Sequence, residues 1–149
     1  MTIVLNISAS KVALGLGCDR GTSAETIARA VAEALSIAGL EATQVQAVAS
    51  ITLKADEAGL LAFAAEQGWT LSFFSPEQLA AVAVPNPSET VRKYTGTPSV
   101  AEAAALLAAG TDMSHLIIEK YKLRGPDGRN ATVSVVRIVE NMKLDPVAT

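Results

Sequence analysis

A glycine-rich stretch, Gly15-Leu-Gly-Cys-Asp-Arg-Gly-Thr-Ser23, joins an apolar run to an amphipathic one. Val12–Leu16 reads as a strand that ends in this loop. From Ser23 to about Ala38, Ile27, Val31, Leu35 and Ala38 recur at helical spacing. Thr22 is the expected N-cap, with Glu25 closing a capping box, and Gly39 is the expected C′ residue. Glu25, Arg29 and Glu33 fall on the outer face at i,i+4 spacing. A strand that turns through glycines directly into a helix is the start of an α/β fold.

The next segments repeat the alternation. Val45–Leu53 is almost continuously apolar, the pattern of a strand covered on both faces. It runs into Lys54-Ala-Asp-Glu57 and a helix that continues to Gln67, before Gly68. A third strand, Thr70–Phe74, leads to Ser75, Pro76 and Gln78, which make a capping box with proline at N1. Val84-Pro-Asn-Pro-Ser88 breaks regular structure, because proline removes a donor and restricts its predecessor. Short helices fit Glu89–Tyr94 and Val100–Ala109, the latter capped by Ser99 with Glu102. His115–Leu123 and Ala131–Val139 read as a hairpin. The expected architecture is a three-layer α/β/α fold, its mixed, mostly parallel sheet ending in a C-terminal β-hairpin.

Composition narrows the function classes. The chain has 149 residues, half of them hydrophobic and 18% charged, enough to bury one core. One domain over 1–149 is expected, with 1–10 and 140–149 as flanking segments. Aromatics at 4% and a net charge of −3 argue against a nucleic-acid partner. No apolar run reaches the roughly 18 residues of a membrane span, and no signal-peptide core is present, so a cytoplasmic protein is expected. Cys18 is the single cysteine and His115 the single histidine, which leaves no disulfide, CxxC or HExxH arrangement. Neither a metal nor a cofactor is expected.

Chemistry concentrates where loops follow the carboxyl ends of parallel strands. In the first loop, Gly15, Gly17 and Gly21 permit close backbone approach, and helix-start N–H groups attract anions. Arg20, Thr22 and Ser23 add donors for a carboxylate or phosphate. The plainer alternative is a tight strand-to-helix turn. The spacing GxGxxxG departs from the dinucleotide fingerprint, and Lys54 stands where an acidic residue is expected, which disfavours a dinucleotide; because a lysine there suits a phosphorylated ribose, NADP or another phosphate ligand stays as an alternative. Asp56 or Glu57 beside Lys54 could serve as a general base; alternatively Asp56 caps the helix and Glu57 complements its dipole. Cys18 lacks an accompanying base and reads as a packing residue. His115 does not make the DxHxxG pattern of proteins that ligate the cobalt of cobalamin, and reads as a strand-start residue. Lys120 and Lys122 share one strand face, either to meet ligand carboxylates or to protect a sheet edge.

Five motifs stand in one order: the loop Gly15–Ser23, Thr52-Leu-Lys-Ala-Asp-Glu57, Phe73-Phe-Ser75, Val84-Pro-Asn-Pro-Ser88 and Gly96-Thr-Pro-Ser-Val-Ala-Glu-Ala-Ala104. In this order they resemble the cobalamin-biosynthesis CobE/CbiG C-terminal domain family, from about residue 11 to residue 139. The resemblance implies a role in building the corrin ring, with a corrinoid intermediate as ligand and other cobalamin-biosynthesis enzymes as possible partners. It adds Asn86, Ser88, Thr97 and Ser99 to a ligand-binding set of Gly15, Gly17, Cys18, Arg20, Gly21, Thr22, Ser23, Lys54, Asp56, Lys120 and Lys122. Larger CbiG proteins open a δ-lactone on a cobalt-corrinoid and release acetaldehyde; here Asp56 or Glu57 would activate the water. This chain lacks their N-terminal region and looks like the stand-alone form associated with the aerobic route. It also carries Asp19 where a basic residue is common. Binding or handing on a corrinoid is therefore expected ahead of lactone hydrolysis.

Overall fold

The computed structural model describes residues 11–82 and 100–138. The expected helix Glu89–Tyr94, the Pro-Asn-Pro segment, the Ser99 cap and both flanking segments lie outside them. Five strands form one open sheet in the order β3-β2-β1-β5-β4. Strands β1 (Val12–Cys18), β2 (Val45–Ile51) and β3 (Leu71–Phe74) run parallel; β5 (Asn130–Arg137) is antiparallel to β1 and to β4 (Leu116–Arg124). The sheet is thus mixed and ends in the expected hairpin.

Alternation along β1 divides the interior. Val12, Leu14 and Leu16 are fully buried in a core shared with helix α1 (Ala24–Ala38) and helix α2 (Ala58–Gln67). There Ile27, Val31, Leu35, Leu60 and Phe63 meet Val133 and Val135. Each such side chain contributes roughly 1.5–3 kcal/mol by leaving water. The opposite face of the sheet belongs to helix α4 (Val100–Ala109), whose Ala103 and Ala104 pack with Ala49, Ile51 and Leu79 of the short helix α3 (Pro76–Ala80). Alanines there bring helix and sheet backbones close together. The result is the three-layer arrangement.

Local signals operate as the residues dictate, with three corrections. Ser75 and Gln78 form the expected box, and Gly39 and Gly68 end α1 and α2 in left-handed conformation. The N-cap of α1 is Ser23 rather than Thr22: Ser23 Oγ accepts from the Thr26 N–H at 3.1 Å, while Thr22 Oγ1 donates to the Asp19 carbonyl at 2.7 Å. Closing the glycine loop uses the threonine hydroxyl that a cap would need. The second strand stops at Ile51, because Thr52–Lys54 curls into a 3-10 turn. Glu57, not Asp56, occupies the N-cap position of α2, and its side chain makes no bond to its own helix. Elsewhere the ends shift by a residue or two: β3 begins at Leu71, His115 closes a 3-10 turn just ahead of β4, and β5 ends at Arg137.

Candidate functional site

Parallel pairing of Gly15 with Ala49 brings the carboxyl ends of β1 and β2 side by side. Ser50 Oγ laces them together by donating to the Leu16 carbonyl at 2.6 Å. The glycine loop and the segment Lys54–Glu57 therefore share one edge, as expected. The hairpin joins them there, since Cys18 pairs with Ala131. Asp19 accepts from the Asn130 backbone N–H at 2.7 Å and side-chain amide at 3.0 Å, and Arg129 Nε donates to the Arg20 carbonyl at 2.9 Å. Asp19 is thus spent on anchoring the loop.

The anionic partner of this loop comes from within the chain. Glu57 is 4% exposed, and its two carboxylate oxygens accept from the Gly21 N–H at 2.9 and 3.2 Å. Arg20 Nη1 donates to Glu57 Oε2 at 3.1 Å and to Asp56 Oδ1 at 3.0 Å. The Gly21 amide, with Arg20 beside it, holds the Glu57 carboxyl below its usual range against the opposing effect of burial. The Arg20 hydrogen bond and charge do the same for exposed Asp56, and the Arg20 pKa rises in return. Gly21 adopts φ +81°, so only glycine suits this turn.

The expectation of free loop amides awaiting an anion meets four amides already engaged, while those of Ser23, Ala24 and Glu25 at the helix start make no bond to a described residue. Gly21 N–H is taken by Glu57, Asp19 N–H by the Asn130 carbonyl, Thr22 N–H by the Asp19 carbonyl and Thr26 N–H by Ser23. The Thr22 and Ser23 hydroxyls are engaged locally, and Thr22 is buried. A phosphate arriving at the Gly21 amide would have to displace a carboxylate already in place. Gly15 faces α4 rather than a ligand: a Cβ there would lie 1.8 Å from the Ala101 carbonyl oxygen.

Two cations also stay available. Arg20 keeps Nε and Nη2 unbonded to any described residue, with its side chain 61% exposed. Lys54 makes no ion pair with a described residue, and its charge is felt at Cys18, Asp56 and Glu57. Lys122 is exposed beside Thr132, near the hairpin end. Lys120 departs from the set: its ammonium lies 3.8 Å from the fully buried Glu102 of α4. It stands four residues back from the strand end at Arg124, roughly 13 Å along the sheet. A Cβ added at Gly17 would meet, among the described residues, the Thr132 side chain alone, at 3.9 Å. Asn86, Ser88, Thr97 and Ser99 lie outside the described residues.

Cys18 is partly buried, and desolvation pushes its thiol up to about 11. The thiol stays protonated at neutral pH, which fits packing. Alkylation of the native protein by iodoacetamide at neutral pH is expected to run roughly thirty-fold slower than that of a free thiol, with urea restoring the normal rate. Alkylation as fast as free cysteine would contradict this placement.

Three residues at this edge escaped the sequence reading. Gly59 sits in the first turn of α2, where a Cβ would come 2.1 Å from the Thr22 carbonyl oxygen; a glycine inside a helical pattern was the available signal. Asn130 and Arg129 clamp the loop across more than a hundred residues of sequence, and no local pattern marks such a pair. A separate groove of about 530 Å³, lined by Val82, Thr111, Asp112, Met113 and Ser114, lies by the start of β4, at the opposite sheet edge. Among the described residues no cluster of metal-ligating side chains occurs, and no helix is long and apolar enough to cross a membrane.

Residues 12–136 match the family model described as Cobalamin synthesis G C-terminus. The chain is 39% identical over 127 residues to a Cobalt-precorrin-5A hydrolase of Priestia megaterium, covering 85% of this chain but 32% of that protein. It thus spans about a third of the hydrolase. It is 40% identical over 109 residues to Protein CobE of Sinorhizobium sp, covering 72% of this chain and 70% of that one. The crystal structure of CobE, a protein from the cobalamin biosynthetic pathway, superposes with a TM-score of 0.72 at 30% identity, over 90% of this chain and 94% of that one.

Proposed function

The chain belongs to the CobE/CbiG C-terminal family of cobalamin-biosynthesis proteins, and on that premise we propose that it binds a corrinoid intermediate by the carboxylates on its rim. The observation that supports binding is the Arg20–Asp56–Glu57 cluster. Either carboxylate that hydrolysis could use as a base is held ionised with lowered basicity, Glu57 first by the Gly21 N–H and then by Arg20, Asp56 by Arg20. An effective general base instead has a pKa near the working pH. Meanwhile the second edge of Arg20, together with Lys54, offers charge-assisted bonds to ligand carboxylates. Lys122 extends this surface towards the hairpin, and the ring itself brings apolar area.

Titrating the protein with cobyrinic acid, a corrinoid with free carboxylates, is expected to shift the visible absorbance saturably at micromolar concentrations. Its fully methylated ester, with an uncharged rim, is expected to bind at least ten-fold more weakly. Arg20→Ala and Lys54→Ala each weaken binding of the acid by about ten-fold, the loss of one good charge-assisted contact. Absence of any spectral or calorimetric response in the wild type sinks the reading.

A second reading, lactone hydrolysis, is favoured by the identity to the Cobalt-precorrin-5A hydrolase. Here Asp56, 76% exposed, would activate water at the rim. Incubation with a corrinoid δ-lactone and assay of released acetaldehyde tests it. Equal release by wild type and Asp56→Asn removes Asp56 from that role.

A further inference from the structure

We propose that Glu57 is the positioning residue of this edge: its carboxylate fills the glycine loop's anion position from within and thereby orients Arg20 for a ligand carboxylate. The inference rests on the corrinoid-binding reading and adds a role that ligand contact does not require.

Glu57 holds the N-cap position of α2 yet gives its own helix no side-chain bond. Its carboxylate instead reaches 36 residues back to the Gly21 N–H and 37 back to Arg20. Burying a carboxylate costs desolvation, and that cost is offset only when its oxygens are bonded. Here both oxygens are bonded, and among the described residues their partners belong to the Arg20–Gly21 turn. The side chain therefore fixes the loop backbone and the guanidinium together.

The effect on Arg20 is directional. A guanidinium carries five N–H donors in one rigid plane. Glu57 and Asp56 hold a single corner, Nη1, at 3.1 and 3.0 Å. The edge formed by Nε and Nη2, which matches a carboxylate in bidentate fashion, makes no bond to a described residue. Pinning the corner removes rotamer freedom before the ligand arrives, so less is lost on binding. Asp56 is the lesser pin, because at 76% exposure water competes for it. Glu57, almost wholly shielded, is the stronger one.

A double-mutant cycle on the full chain tests the coupling, with cobyrinic acid as the probe. Glu57→Gln is expected to weaken binding by roughly ten-fold in the otherwise wild-type protein and by less than two-fold when Arg20 is already alanine. Glu57→Asp, too short to span to both Gly21 and Arg20, should behave as Glu57→Gln does. Equal losses in both backgrounds, or no loss in either, overturn the proposal while leaving corrinoid binding intact. Failure of the wild type to bind the probe overturns the functional reading itself. Loss of the folded circular-dichroism spectrum in both Glu57 variants also overturns the proposal, since Glu57 would then be holding the fold rather than aiming an arginine.

Discussion

Gly15→Ala is expected to destabilise the protein by about 3 kcal/mol or more, the largest effect of any single methyl group added to this sheet. The new Cβ would stand 1.8 Å from the Ala101 carbonyl oxygen and 2.7 Å from the Ala105 nitrogen, both backbone atoms of α4. Neither side can yield cheaply. Strand β1 is hydrogen-bonded to β2 on one flank and to β5 on the other. Helix α4 is held by Ala103, Ala104, Ala105 and Leu106, all buried, and lifting it opens that whole layer. Gly17→Ala is the control, because its added Cβ meets, among the described residues, only the Thr132 side chain at 3.9 Å. A urea unfolding series should separate the two clearly. Similar midpoints for both variants would show that the close approach of α4 does not govern stability.

Gly59→Ala is expected to cost about 2 kcal/mol and to weaken corrinoid binding at the same time. Helix propensity alone would favour alanine by roughly 1 kcal/mol, so the sign of the effect is diagnostic. The added Cβ would lie 2.1 Å from the Thr22 carbonyl oxygen and 3.2 Å from the Ala24 nitrogen. Relief requires α2 to move away from the loop. Glu57, two residues earlier, would move with it and stretch its bonds to Gly21 and Arg20. Faster hydrogen exchange at the Gly21 amide would report that parting directly. A Gly59→Ala protein as stable as wild type, with unchanged exchange, would refute the argument.

These two glycines show how much of the site was legible beforehand. Gly15 belongs to the stretch that most resembles an anion cradle, yet it faces α4. Which helix lies over a strand residue depends on layers assembled from distant segments. Neighbouring residues make two roles visible for Glu57, a general base and a dipole partner. Its true partners, Gly21 and Arg20, lie 36 and 37 residues earlier. Lys120 looked like a ligand contact by alternation along its strand, yet that same face meets Glu102 of α4. Alternation assigns a face and leaves open what covers it.

The loop on which the sequence reading began keeps its position and changes its chemistry. Periodicity, capping boxes and terminal glycines determined the elements and brought the loops after β1 and β2 to one edge, because these signals act over a few residues. Tertiary structure alone decided which charges survive there. Once parallel pairing sets β1 beside β2, a carboxylate from the second loop reaches the amide of the first. Burial then makes that bond too favourable to leave the amide open. The Gly21 amide is filled from within, and the cationic edge of Arg20, with Lys54, remains.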